Sequence, residues 1–321
     1  MEQQKEKLMK IIQDYNVTRK IFINDELNDI YINSYINKIY IINLHNNVIR
    51  RNYIIKLMEK YSINFELIIV PSLTFEEYEI INNKAISFGE AGCYLSHMFC
   101  LNDAIFYNYD RIIIFEDDII LHKTFHSLFQ NITTSINYDI LMLGACDFHF
   151  RKINCKRIVN NSYIPDEKTV FLYGTFAILY SNKGFNEIFK KRLNNPTFMD
   201  NNLICFLDKF RYSFYISYQN LVITDYSQTN INHNFWITNK LKEDYYLKNC
   251  FNSEFKFSDY NLIYLKPLEN YTTIDLSKSY SENILDILKT FFINNIKNTN
   301  IIYKRLVYDF FDTRDLEFIL S

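Results

Sequence analysis

The strongest constraint on this chain's fold is a series of short, predominantly apolar runs separated by segments of helical periodicity, beginning at residue 38. Lys38–Leu44 is one such run, residues 46–61 place Val48, Ile49, Tyr53, Ile54, Leu57 and Met58 at helical spacing, and Phe65–Val70 is a second run stopped by Pro71. A helix from Gly89 to about Asn108 leads to the isoleucine-rich run Arg111–Phe115, and Tyr138–Leu143 repeats the strand signal before Gly144. Strands that are apolar throughout, rather than alternating, belong to sheets buried on both faces. The pattern therefore predicts an α/β fold with a mainly parallel sheet covered by helices on both sides. Further strand signals at Phe171–Tyr180 and Phe214–Ser217 flank a helix at about residues 183–193.

Outside this stretch the periodicity changes. Residues 1–36 read as a polar helix from Glu2 to Tyr15 followed by an irregular acidic connection through Asn24, Asp25, Glu26 and Asp29, in effect an arm added to the sheet domain. Beyond Trp236 the chain turns polar and then helical, with Ile284–Ile296 and Ile301–Phe311 as amphipathic pieces. The expected division is a helical arm at 1–36, a sheet domain at 37–240 and a mostly helical extension at 241–321. The last two helices are candidates for a homodimer interface, because an apolar stripe must be buried somewhere.

Composition removes several function classes. With 48% apolar and 22% charged residues the chain is a folded globular protein, and a net charge of -2 supplies no field to gather nucleic acid. The 6 cysteines, at 93, 100, 146, 155, 205 and 250, form no Cys-x-x-Cys pair, so reduced thiols are expected. The first ten residues are charged and no window offers about 18 uninterrupted apolar residues, so neither a signal peptide nor a membrane span is expected and the cytoplasm is the default location. Glycine-rich phosphate loops, a Gly-x-Ser-x-Gly elbow and a His-Glu-x-x-His helix are all missing from the sequence.

What remains is an acidic cluster. Glu116, Asp117 and Asp118 follow the run Arg111–Phe115, at the carboxyl end of a strand, where open α/β sheets bind ligands. Two carboxylates about 4 Å apart repel by roughly 4 kcal/mol at an effective dielectric near 20, so a cation is a natural compensation. An all-oxygen set suits Mg²⁺ or Mn²⁺, which are commonly shared with substrate phosphates. The simpler alternative is that Asp117 or Asp118 caps a helix starting near Thr124. His122 and His126, four residues apart, would share one face of a helix and could offer zinc two ligands, though with no third nearby in sequence.

Four motifs in order place these residues in context: Ile39-Tyr40-Ile41-Ile42-Asn43-Leu44, Gly89-Glu90-Ala91-Gly92-Cys93-Tyr94-Leu95-Ser96-His97, Ile114-Phe115-Glu116-Asp117-Asp118, and Gly174-Thr175-Phe176-Ala177-Ile178-Leu179 with Ser181. Together, over about residues 38–232, they resemble glycosyltransferase family 25, which includes bacterial lipooligosaccharide and animal procollagen galactosyltransferases. The resemblance implies a GT-A-type fold, a UDP-sugar donor, a divalent metal (usually manganese, with magnesium as the alternative) and inversion at the anomeric carbon. It assigns donor and metal to Glu116 and Asp118, with Asp117 between them, and carries over Ser96 and His97.

The segment after Leu44 departs from the family's Asp-Arg-rich continuation: His45, Asn46, Asn47 and Ile49 replace most of it, leaving Arg50 and Arg51. A different sugar nucleotide or a non-catalytic sugar-nucleotide-binding or glycan-binding relative would each account for that change. Asn43 can hydrogen-bond a base and Arg50 a phosphate. Glu90 is either a donor contact or a cap on its own helix. His97 is a phosphate contact or a buried structural histidine, and His233 a third metal ligand or an ordinary loop residue. Asp200, where the family shows an acidic pair, is the candidate general base for the acceptor hydroxyl, or else a helix N-cap. Tyr173 and Phe176 are the rings expected near the acceptor. The acceptors that fit are hydroxylysine of a collagen-like protein or a glycan, and galactose or glucose the sugars. A metal-dependent phosphohydrolase fits worse, because Ile119 and Ile120 follow Asp118.

Overall fold

The computed structural model describes residues 2–81, 87–145, 155–158, 162–165, 174–194, 196, 213–217, 220–224 and 259–260. In chain order the elements are α1 (Glu2–Gln13), β1 (Thr18–Phe22), α2 (Tyr31–Tyr35), β2 (Lys38–Leu44), α3 (Val48–Lys60), β3 (Phe65–Val70), α4 (Phe75–Ile81), α5 (Phe88–Phe106), β4 (Arg111–Glu116), β5 (Ile119–Leu121), α6 (Phe125–Ser135), β6 (Ile140–Met142), β7 (Cys155–Ile158), β8 (Ser162–Pro165), β9 (Ala177–Ser181), α7 (Asn182–Asn194), β10 (Phe214–Ser217) and β11 (Val222–Thr224).

One nine-stranded sheet, in the order β1-β3-β2-β4-β9-β6-β10-β8-β7, forms the middle layer, and β5 pairs with β11 in a separate ribbon. Neighbours β3, β2 and β4 run parallel, as do β6 and β10, whereas β9 lies antiparallel between β4 and β6. The sheet is thus mixed, with a parallel centre. The chain moves from β2 to β3 on one side and then returns to place β4 on the other, which makes the carboxyl end between β2 and β4 a topological switch point.

Alternation along the strands builds two cores. Tyr40, Ile68, Ile112, Ile114 and Ile178 face α1, α5 and α7. Ile39, Ile41, Leu67, Ile113, Phe115 and Leu179 face α2, α3 and α6. Both faces are covered, as the apolar runs demanded.

The first 36 residues correct one expectation. The stretch after α1, read as irregular, contains β1, which adds an antiparallel edge to β3, with Ile21 opposite Glu66. Leu8, Ile12 and Tyr15 of the same segment are buried in the α5-side core. The edge strand also explains a buried charge. Glu66, 1% exposed in mid-sheet, is ion-paired with Arg19 of β1 and Lys38 of β2, and Arg19 reaches on to Asp103 of α5, at 2.7 Å from Oδ1. Tyr40 donates to the same Asp103 at 2.6 Å. Of the described residues, none forms a helix long and apolar enough to cross a membrane.

Candidate active site

The acidic triplet sits at the switch point, and the strand's pleat divides it. β4 continues through Glu116, one residue further than its apolar run, so Glu116 shares a face with Ile112 and Ile114 and turns toward α5. Asp117 turns the opposite way, toward α3. The pleat thus gives Glu116 and Asp117 different partners, while the three carboxylates still act on one another through their charges.

On the α3 side, Asp117 Oδ1 accepts from Arg50 Nη1 at 3.0 Å and Oδ2 from Asn43 Nδ2 at 2.6 Å. Arg50 Nη1 also lies 3.3 Å from Asp118 Oδ2. Arg51 Nε donates to Asn43 Oδ1 at 2.8 Å, and Arg51 also donates to the His45 carbonyl. Asn47, one of the replaced residues after Leu44, caps α3 by accepting from the Arg50 backbone N–H at 3.3 Å, which fixes where that arginine starts. The departures in this segment therefore keep both arginines on the site.

Asp118 is the least satisfied member. Burial, with Glu116 and Asp117 adding repulsion, pushes its pKa up to about 7 despite Arg50 and a hydrogen bond from Thr224 of β11. Its Oδ1 is buried with no hydrogen-bond partner among the described residues. Asp117 is also raised, by burial against the pull of Arg50 and Asn43. Neither acid caps α6, whose N-cap Thr124 makes no side-chain capping bond. An orphaned carboxylate oxygen in a cluster with more acids than facing guanidinium groups fits a hard divalent cation.

On the α5 side, burial works to raise Glu116, but hydrogen bonds from His97 and Thr175 and the charge of Arg50 hold it below the usual carboxylate value. His97 Nε2 is 3.3 Å from Glu116 Oε1 and Thr175 Oγ donates to the same oxygen at 2.7 Å. Gly174 delivers Thr175 to that point with φ 108, a conformation that L side chains resist. Cys93, one helical turn before His97, brings its Sγ to 3.9 Å from Glu116 Oε1. Cys93, Thr175 and Thr224 were not singled out from sequence; the i, i+4 relation of Cys93 to His97 was the available signal for the first.

Other candidates have structural employment. Glu90 closes a capping box with Ser87, accepting from the Ser87 N–H at 2.6 Å. Ser96 donates to the Gly92 carbonyl at 2.7 Å within α5. Phe176 is 3% exposed and packed in the core, so it offers no ring to an acceptor. His122 precedes α6 and accepts from the Thr124 N–H, while His126 bonds the Tyr61 carbonyl, so they share no metal-binding face. Asp200, His233, Tyr173 and both C-terminal amphipathic segments lie outside the described residues.

Residues 36–205 match the family described as glycosyltransferase family 25 (LPS biosynthesis protein). No curated protein matches the chain. A solved structure titled "Crystal Structure of A197 from STIV" aligns at 13% identity and a TM-score of 0.28, over 61% of this chain and 98% of that one, a likeness too slight to bear on fold or function.

Proposed function

Since the chain belongs to glycosyltransferase family 25, we propose that it moves a hexose, galactose or glucose, from a UDP-sugar to a hydroxyl group of a glycan or of hydroxylysine in a collagen-like protein, with inversion and with Mn²⁺ or Mg²⁺. The observation that carries the reading is the buried, unpartnered Asp118 Oδ1 beside Asp117 at the β2–β4 switch point. The same parallel β3-β2-β4 arrangement, with β9 reversed beside it, supports a GT-A-type assignment for the domain.

Asp118 and Asp117 would hold the ion, with Glu116 adjoining. When bound, it supplies positive charge to the diphosphate leaving group. Arg50 stands over the same carboxylates and can pass part of its fork to a phosphate oxygen as the donor enters. Asn43, buried and held by Arg51 on one side and Asp117 on the other, fixes the positions of Asp117 and Arg51 at the end of β2. Inversion requires the acceptor to attack from the face opposite the leaving group, so its proton must go to a carboxylate outside this cluster. Asp200 is that base in this proposal.

The test is sugar transfer and donor hydrolysis over a panel of UDP-sugars, with and without Mn²⁺. Turnover that requires the ion supports the proposal. UDP binding without turnover would instead favour the non-catalytic reading, in which Arg50 permanently occupies Asp117 and Asp118.

A further inference from the structure

Glu116, turned away from Asp117, is held by a second set of groups, His97 and Thr175, with Cys93 beside them. Cys93 and His97 stand one turn apart on the same face of α5, aimed at the end of β4. A ligand atom from each of Cys93, His97 and Glu116 lies within 4.8 Å of the other two. Standard zinc bond lengths at tetrahedral angles place an imidazole nitrogen about 3.4 Å, and a thiolate sulfur about 3.6 Å, from a carboxylate oxygen on the same ion. The separations here are 3.3 Å for His97 Nε2 and 3.9 Å for Cys93 Sγ, both from Glu116 Oε1. Those two separations are near a coordination shell, and the sulfur–nitrogen separation, within 4.8 Å here, closes toward about 3.6 Å on binding.

Two further observations point the same way. His97 is fully buried, and its hydrogen bond among the described residues is the 3.3 Å contact from Nε2 to Glu116, so the ring is committed to this corner. Thr175, delivered by the positive-φ Gly174, places its hydroxyl 3.9 Å from Cys93 Sγ and 2.7 Å from Glu116 Oε1, at the same corner. The His97–Glu116 hydrogen bond fixes the carboxylate and one ring nitrogen, and the Cys93 thiol lies against the same carboxylate oxygen.

We propose that Cys93, His97 and Glu116 form a binding site for Zn²⁺ or a transition-metal ion of similar character, distinct from the hard-cation site at Asp118. A thiol, an imidazole and a carboxylate are the ligands such ions select, whereas Mg²⁺ and Mn²⁺ favour oxygen alone. Three protein ligands leave a fourth position, open to the Thr175 hydroxyl or to water. Binding releases the Cys93 thiol proton to solvent and leaves the thiolate on the ion, while the proton that His97 Nε2 donates to Glu116 moves to Nδ1, freeing the Nε2 lone pair for the metal.

Cobalt(II), which reports its own coordination by absorption, tests the site in the full-length protein after chelator treatment. The expected result is one thiolate-to-cobalt charge-transfer band that Zn²⁺ abolishes by displacement. The band should vanish in Cys93→Ser and persist in both Cys100→Ser, which alters a buried thiol elsewhere on α5, and Asp118→Asn. Should Cys93→Ser fail to fold by circular dichroism, His97→Gln decides, since it keeps the thiol but removes a ligand and must weaken cobalt binding and shift the band. Absence of a thiolate band in the unaltered protein, its survival in folded Cys93→Ser, its loss in Cys100→Ser or Asp118→Asn, or an unchanged titration in His97→Gln would each overturn the proposal.

Discussion

Replacing Glu66 by Gln should be among the most destabilising single changes outside the site, and its cost should depend on pH in a defined direction. Glu66 is 1% exposed and carries two cations, Arg19 from β1 and Lys38 from β2. Gln keeps the shape but removes the charge, leaving the Lys38 ammonium, with 15% of its side chain exposed, without this partner. Breaking a buried pair from one side costs about 3–5 kcal/mol. Arg19 keeps Asp103 and is one-third exposed, so the lower end of that range applies, about 3 kcal/mol. At about 2–4 °C per kcal/mol this corresponds to a fall in Tm of about 6–12 °C. Burial would raise the Glu66 pKa, but hydrogen bonds and charge from Arg19 and Lys38 outweigh it and hold the folded value below the ordinary one. A depressed carboxylate contributes stability that is complete above its unfolded pKa, about 4.3, and is lost as pH falls through the folded value. The gap between unaltered and Glu66→Gln proteins in urea denaturation should therefore be constant from about pH 8 to pH 5 and close in stronger acid. Equal stability at pH 7, or a gap that widens on acidification, would refute this account of the edge strand.

Three smaller perturbations follow from the geometry. Ser87→Ala removes one half of the α5 capping box and should cost about 1 kcal/mol in thermal or chemical denaturation, with donor binding retained. Gly174→Ala forces a side chain into φ 108 and against Phe176, and should cost about 1–3 kcal/mol while releasing Thr175 from Glu116, read by thermal melting. Asp200→Asn keeps size and capping ability but removes the basic oxygen, so transfer measured with a verified acceptor should fall by about 10²–10⁴-fold while Mn²⁺-dependent UDP affinity persists.

How much could be read in advance depended on how strongly each segment's chemistry was committed. β2, β3 and β10 have the limits their apolar runs predicted, because strands buried on both faces leave no ambiguity of register with solvent. β1 was missed because Thr18, Arg19 and Lys20 of this edge strand are exposed and polar, and its buried obligations, Arg19 to Glu66 and to Asp103, span 47 and 84 residues. β5 and β11 are three residues each and too short for any period to show. Within the site, the triplet was visible as charge, but its division between two faces depended on whether β4 ended at residue 115 or 116. The pairing of Ile42 with Glu116 settles that, and with it the separation of Glu116 from Asp117. Arg50 and Asn43 were legible as hydrogen-bonding groups; their mutual employment on Asp117 required the α3 cap at Asn47, which no sequence pattern specified.

The central claim is that Asp118, buried with an unpartnered oxygen at the switch point, holds a divalent ion through which the nucleotide diphosphate binds. Isothermal titration calorimetry of UDP tests it most directly, comparing Mn²⁺ with EDTA in the unaltered protein and in Asp118→Asn. The account predicts that Mn²⁺ strengthens UDP binding in the former and has little effect in the latter, with both proteins equally folded. Equal UDP affinity in Mn²⁺ and in EDTA for the unaltered protein, or an undiminished Mn²⁺ effect in Asp118→Asn, would contradict it.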